Sequence, residues 1–313
     1  MTLTQLSYIV ALDTYRNFRK AADKMFITQP TLSMQIQKLE QELDVVIFDR
    51  HILPVEPSAI GRLIIDQARV ILEETARMAD IIASQKHQIF GTLRIGIIPT
   101  VAPYLLPLFL EQFLAKYPKV ELTIDELQTQ LIIRHLEQSS LDVGIVASPI
   151  NHPRIIEQTL YYEPFVAYVA RKHRLFSRKR IRTSDLSLND LWLLKEGHCF
   201  RDQILQLCKS TLERRGNYHF HCHLEGENLE TLRKLVENNI GMTLLPRLAV
   251  LNLDNTPSNA LIREFYTPVP TRRISLIYTK ALLKRRLLQV LEQEILNALP
   301  DGLLNAKDRC VVE

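Results

Sequence analysis

The sequence predicts an α/β protein in three parts: an N-terminal winged helix-turn-helix, a long linker helix, and a C-terminal domain of two α/β lobes. Residues 1–50 read as short helices without a single glycine. From Ser58 or Ala59 to about Gln88, apolar residues recur at three- and four-residue steps on an otherwise polar segment. Beyond Gly91, strand-like runs alternate with helical ones, the order expected of α/β architecture with a mainly parallel sheet. The expected boundaries are 1–58 for the winged unit and 59–90 for the linker helix. Residues 91–164 with 267–300 form the first lobe, 165–266 the second, and 301–313 a polar tail.

The first helix places Leu6, Ile9, Val10 and Leu12 at helical spacing. Asn17 is positioned to cap a second helix, Phe18 to Met25, with Ala21 and Ala22 on its buried side. After a break at Phe26-Ile27, Thr28 caps a third helix running to about Leu43, and Pro30 sits in its first turn, where a missing N–H costs nothing. Val45 to Pro57 turns extended and fits a two-stranded wing. The linker helix carries Ile60, Ile64, Ala68, Ile71, Thr75, Met78 and Ile82 as a narrow seam. Such a seam suits a dimerising coiled coil; a helix packed on its own domain is the alternative. In the first lobe, LRIGII, VELTIDEL and LDVGIVAS are strands with helices between them. The second lobe holds FVAYVA, a cysteine-bearing segment, HFHCHL, a helix over Asn228–Asn238, and GMTLLP. RRISLIY then returns to the first lobe, followed by a helix over Leu282–Leu299. A chain that leaves one lobe and comes back makes two hinged lobes with a cleft between them.

The formal net charge of +4 and pI near 8.8 permit a nucleic-acid partner without arguing for one. No apolar stretch approaches the roughly 20 residues needed to span a bilayer, and Asp13 interrupts the N-terminal segment before any leader-like pattern forms. The expected compartment is the cytosol, with no membrane partner. Four cysteines are too few for a disulfide scaffold. Neither G-x-S-x-G nor H-E-x-x-H occurs, so neither enzymatic activity nor a cofactor is expected. His219, His221 and His223 alternate onto one face of a strand. Neutral imidazoles suit Zn²⁺ or Ni²⁺, but such a row is more often a solvated strand face, and no metal site is expected. Cys222 reads as a core residue and Cys310 as exposed.

The run NFRKAADKMFITQPTLSMQIQKLEQEL has the layout of a helix-turn-helix. Its second helix buries Leu32, Ile36 and Leu39 and leaves Gln29, Thr31, Ser33, Gln35 and Lys38 on other faces. Polar side chains near the start of a recognition helix reach base edges, while lysines and backbone N–H groups contact phosphate. Residues 1–58 hold six Lys/Arg against seven Asp/Glu, so any electrostatic footprint depends on where the cations sit. The ordered set F-x-x-A-A, T-Q-P-T-L-S, L-E-x-E-L and F-D-R between Leu3 and Arg50 resembles the winged helix-turn-helix of LysR-type regulators. That resemblance implies double-stranded DNA as partner, read by Thr28, Gln29, Pro30, Thr31, Ser33, Gln35 and Lys38, with Arg50 of the wing near backbone or minor groove. It also implies a homodimer or homotetramer and RNA polymerase as a further partner. Asp44 stands where the family usually has glycine.

In EGHCFRDQILQLC, residues 196–208, a helix is expected to begin near Phe200 or Arg201. Cys199 would then lie where helix N–H groups favour an anion, with His198 and Arg201 beside it. These surroundings are expected to depress the thiol pKa, and the thiolate is the form that attacks peroxide. Cys208 falls on the apolar face of the same helix. Both cysteines could also be inert small hydrophobes. G-H-C-x-R-D, together with IPTVAPYLLP, ENLETLRKLVENNIGMTLLP and RRISLIY, resembles the hydrogen-peroxide-sensing regulators of the LysR family. This likeness implies hydrogen peroxide as effector, Cys199 as the peroxidatic thiol and Cys208 as its resolving partner. Thr100, Thr129, His198, Arg201 and Asp202 would shape the peroxide pocket, with Arg273, in preference to Arg272, facing the thiol. The regulatory lobes are expected to resemble periplasmic binding proteins. A small metabolite bound between the lobes is the alternative effector.

Overall fold

The computed structural model describes residues 1–50, 54–85, 89–208, 226–253, 256–280, 284–304 and 309–312. The chain divides into two compact units, residues 1–88 and 89–313.

In the first unit, α1 (Leu3–Tyr15), α2 (Phe18–Lys24) and α3 (Gln29–Leu43) are capped by Thr2, Asn17 and Thr28, each side chain accepting from a backbone N–H of the first turn. Each cap satisfies one N–H that has no partner within its helix. Ala21, Ala22, Leu32, Ile36 and Leu39 meet Leu6, Ile9 and Leu12 in the core. Alanines on α2 let α3 approach closely. Asp44 ends α3 at φ +52°, in the left-handed region. This conformation favours glycine, which accounts for the residue usual at that position and shows that aspartate tolerates it. The wing consists of β1 (Phe48–Asp49) and β2 (Glu56–Pro57), paired antiparallel.

The long helix α4 (Ala59–Gln85) follows. Its first turn is fastened by Ser58, whose Oγ accepts from Gly61 N at 2.9 Å. Gly61 is needed for a different reason: a Cβ there would lie 2.0 Å from the Ile47 carbonyl oxygen. Part of the predicted seam faces this unit itself. Ala68 is buried, and Ile64 and Ile71 pack on the helix-turn-helix core, while Arg69 pairs with Asp13 at 2.7 Å. Among the described side chains of α4, the large apolar ones left exposed are Ile60, Leu63, Val70 and Met78. The seam is therefore packed at Ile64, Ala68 and Ile71 and exposed at Ile60 and Met78. The side chain of Ile82 lies outside the described residues.

The second unit starts with a parallel layer of β3 (Gly91–Ile97), β4 (Val120–Glu126) and β5 (Val143–Ser148), linked through α5 (Ala102–Lys116) and α6 (Thr129–Glu137). Two long strands then cross between the lobes. The first half of β6 (Ile155–Val169) pairs antiparallel with β10 (Val269–Thr279), which also lies antiparallel to β5. Its second half pairs with β8 (Met242–Pro246) and β9 (Ile262–Phe265); β9 in turn pairs with the short β7 (Arg180–Ile181). Between β7 and β8 lie α7 (Cys199–Leu207) and α8 (Leu229–Glu237), and α9 (Arg285–Ala298) covers the first lobe. Each lobe has its own core: Phe109, Phe113 and Leu291 belong to the first, Phe165, Phe200 and Leu244 to the second. The sheet is mixed because β10 runs antiparallel to β5 and β6.

The segment read as a polar tail is part of the fold. β11 (Arg309–Val311) lies parallel to β10, Leu303 is buried in the first core and Val312 in the second. Apolar residues at 303, 304, 311 and 312 among polar ones were the available signal. The predicted strand bearing His219, His221, Cys222 and His223 lies outside the described residues. Among those described, no helix is long and apolar enough to cross a membrane.

Candidate functional site

Two regions concentrate the expected functional residues. In the first unit, Thr28, Gln29, Pro30 and Lys38 are exposed along α3, and Thr31, Ser33 and Gln35 are half-buried. Thr28 and Thr31 share a hydrogen bond at 2.8 Å across the helix start. Gln35 Oε1 accepts from Gln5 at 3.4 Å, so this amide is held from behind by α1. Arg50 is exposed, yet its guanidinium donates to Glu40 Oε2 at 2.8 Å and lies over the Phe18 ring. Glu40 in turn accepts from the wing N–H groups of Ile47 and Phe48. One carboxylate thereby fixes the wing against α3. Met34, 60% exposed on α3, was not singled out from sequence; it offers an apolar contact of the kind that suits a thymine methyl.

The second region lies where three helix starts meet in the regulatory unit. Cys199 is the first residue of α7, one position earlier than expected, and His198 precedes it as cap without a side-chain cap bond. Thr129 opens α6 and donates from Oγ1 toward Cys199 Sγ at 3.9 Å. Thr100 is buried just before α5. Thr100, Gln128, Thr129, Gly197, His198 and Cys199 line a cavity with room for about one water-sized molecule. Gly197 holds φ +92°, and a Cβ there would meet the Gln128 amide at 2.9 Å, so glycine is required on two counts.

The arginine facing this site is Arg272, not Arg273. Neighbouring strand residues point to opposite sides, and β10 turns Arg272 inward. Its guanidinium donates to Glu163 Oε2 at 2.7 and 2.9 Å, to Thr100 Oγ1 at 2.9 Å and to the Thr100 carbonyl at 2.9 Å. It also lies 5.0 Å from the Phe200 ring centroid. Arg272 and Glu163 are both 1% exposed. Arg273 turns the other way, toward Glu157 at 3.8 Å. Arg201 also departs from expectation: its guanidinium donates to the Leu194 carbonyl at 3.0 Å instead of facing the thiol. Asp202 is exposed in the first turn of α7, and its charge disfavours a thiolate.

The electrostatic balance at Cys199 differs from that expected of a helix N-terminus alone. Burial pushes the thiol pKa above its ordinary value. Arg272, the Thr129 hydroxyl and the Phe200 backbone N–H pull the other way without cancelling that effect. His198 is buried, and burial followed by nearby Lys195 holds its pKa down, so the imidazole is neutral at pH 7. Glu163 was not singled out from the sequence, and neither Gln128 nor Phe200 was given a role in the pocket. Glu163 had a signal: a lone carboxylate in the strand LYYEPFVAYVA needs a buried cation.

Cys208 caps the opposite end of α7, fully buried in the second-lobe core. Burial raises its thiol to about 12, with Asp190 adding to the effect. Nine helical residues separate the two Cα atoms by about 13 Å, whereas a disulfide needs roughly 4.4–6.8 Å. The two sulfurs are not joined in a disulfide.

Comparison with known proteins accords with this arrangement. Residues 3–62 match the family model for the bacterial regulatory helix-turn-helix protein of the lysR family, and residues 86–300 that for the LysR substrate binding domain. A hydrogen peroxide-inducible genes activator of Haemophilus influenzae is 37% identical over 278 residues, covering 89% of this chain and 90% of that protein. The DNA-binding transcriptional dual regulator OxyR of Escherichia coli K12 is 36% identical, covering 89% of each. Among solved structures, a full-length OxyR variant from Pseudomonas aeruginosa superposes with a TM-score of 0.77 at 32% identity, covering 95% of this chain and 98% of that one. A mutant OxyR from Corynebacterium glutamicum, H2O2-bound, gives 0.58 at 29%, covering 95% and 92%. With both of its parts matched in order, the chain belongs to the LysR family of bacterial helix-turn-helix regulators, in its OxyR-type group.

Proposed function

We propose that this chain is a peroxide-sensing transcriptional regulator that controls oxidative-stress genes through oxidation of Cys199. The observation that carries the reading is a thiol at a helix start beside a small cavity, with room for about one water-sized molecule, lined by Thr100, Thr129 and His198. A metabolite effector would not fit at this position. In the first step the Cys199 thiol attacks one peroxide oxygen, the O–O bond breaks, and sulfenic acid and water form. In the second, the Cys208 thiol attacks that sulfur, a disulfide forms, and a second water leaves. Thr129 and Arg272 are placed to favour negative charge on sulfur as the first bond forms, and neutral His198 lines the same cavity and can accept the thiol proton.

Local structure supports a switch. Helix α7 spans nine residues and lacks a side-chain cap; isolated helices this short are marginal. Packing of Phe200, Gln203 and Ile204 holds it in place. Bridging its two ends requires unwinding it and withdrawing Cys208 from the core, which repacks the second lobe. DNA is held through α3 and the wing, with Arg50 released from Glu40 or shared with phosphate. The exposed Ile60, Leu63, Val70 and Met78 of α4 suit self-association into a homodimer or homotetramer, and RNA polymerase is the expected partner on promoter DNA.

DNA footprinting with and without hydrogen peroxide tests this function. The wild-type footprint is expected to change on oxidation, and Cys199→Ser to keep the reduced pattern in both conditions. The same peroxide-dependent change in Cys199→Ser would overturn the reading.

A further inference from the structure

A larger cavity of about 460 Å³ opens beside the strand crossover, in a different place from the thiol cavity. Pro164, Phe165, Leu251, Phe265 and Leu303 supply apolar walls. Leu303 belongs to the first-lobe core and Phe165 and Phe265 to the second, so an occupant would touch both lobes. Its volume falls in the range of small-molecule sites.

The polar groups in the wall are not balanced. Glu264, at the rim, is shared by Arg247 at 3.4 Å and Arg180 at 4.0 Å. Arg309 has no carboxylate partner among the described residues. Its guanidinium donates to the backbone carbonyls of Tyr162, at 2.7 Å, and of Gly302. Carbonyl dipoles orient a cation without neutralising it, and burial here works against the charge. A half-buried, uncompensated guanidinium at the end of an apolar cavity is suited to a single negative head group on an apolar body.

We infer that the cavity beside the β6–β10 crossover, walled by Phe165, Leu251, Phe265 and Leu303 and headed by Arg309, is a binding site for a medium-chain monocarboxylate. This inference does not depend on peroxide sensing, since the cavity contains no cysteine. Phe165 links it to the first turn of α7 through a ring contact with Phe200 at 5.3 Å between centroids.

Gly302 provides a clean test. It lines the cavity, and a Cβ added there meets nothing within 4 Å, so Gly302→Trp adds bulk at the cavity wall with no clash at Cβ. Reduced full-length protein is titrated with octanoate and with 1-octanol, following saturation transfer from protein to ligand by NMR. Saturable octanoate binding is expected, with octanol weaker by about tenfold or more. Gly302→Trp should weaken octanoate by about tenfold while the circular dichroism spectrum stays unchanged. Arg309→Gln, which retains an amide donor but removes the charge, should bring octanoate down to the level of octanol. Absence of saturable octanoate binding, equal binding of octanoate and octanol by wild type, or undiminished octanoate binding by folded Gly302→Trp would each overturn the inference. Should Gly302→Trp fail to fold, an octanoate preference that survives in Arg309→Gln would do the same.

Discussion

Replacing Arg272 with methionine is expected to lower the unfolding free energy by about 3–5 kcal/mol, the usual cost of leaving one member of a buried ion pair without its partner. Arg272 and Glu163 face each other across β10 and β6, where these strands pass between the lobes. The Glu163 carboxylate receives two bonds from Arg272 and one, at 3.0 Å, from the Leu248 backbone N–H. Without the guanidinium, Glu163 is left as a buried charge held by a single neutral donor. Glu163→Leu alone should be costly for the converse reason. Joining the two changes should recover most of the loss, because apolar pairs substitute well for buried ion pairs. Urea midpoints of the two single variants and the double variant provide the check. A change for Arg272→Met within about 0.5 kcal/mol, the level typical of a surface substitution, would mean that the pair is not desolvated as the structure has it. The double variant should recover stability but not thiol reactivity, since Arg272 is the cation acting on Cys199.

The second large effect is on the pH dependence of Cys199. Because burial raises this thiol above its ordinary value of 9.0, the thiolate is the minor form through neutral pH. Alkylation of Cys199 by iodoacetamide, followed by mass spectrometry in a variant lacking the other thiols, should accelerate about tenfold per pH unit through neutrality. The rise should continue past the pH at which a denatured chain levels off. A plateau already below about pH 7 would show instead a depressed pKa, governed by the helix start and Arg272. The same shifts set a direction for stability. Thiols with a raised folded pKa contribute stability that is fully present below their unfolded pKa and is lost as pH rises through the folded value. Cys208, at about 12, extends that window well into alkali.

Much of the architecture was readable because the chain marks its own boundaries. Asn17, Thr28 and Asn228 cap helices where short polar side chains precede apolar periodicity. The burial of Leu32, Ile36 and Leu39 follows directly from their spacing. The thiol site was harder to read. Sequence places two arginines side by side on a strand, but only the tertiary fold, which brings Thr100, Glu163 and Phe200 to one side of β10, decides which one turns inward. Helix-terminal dipoles and neighbouring cations can be read locally, whereas burial of Cys199 depends on α6 and on Gln128 and Thr129, about 70 positions away. Glu163, which holds Arg272, is 109 positions from it. The linker seam was read as one surface, yet along its length it is divided between intramolecular packing at Ala68 and exposed residues such as Met78. The C-terminal strand was missed because three residues with one exposed position carry almost no periodic signal.

The decisive measurement is peptide mapping of the full-length protein after stoichiometric peroxide, without reduction. A Cys199–Cys208 disulfide should appear as the main oxidised product, accompanied by increased hydrogen exchange across residues 199–207 as α7 comes apart. Peroxide that leaves Cys199 unmodified, or a bridge between these two cysteines that forms while α7 keeps its protection, would contradict a switch driven by closing a gap the intact helix holds open.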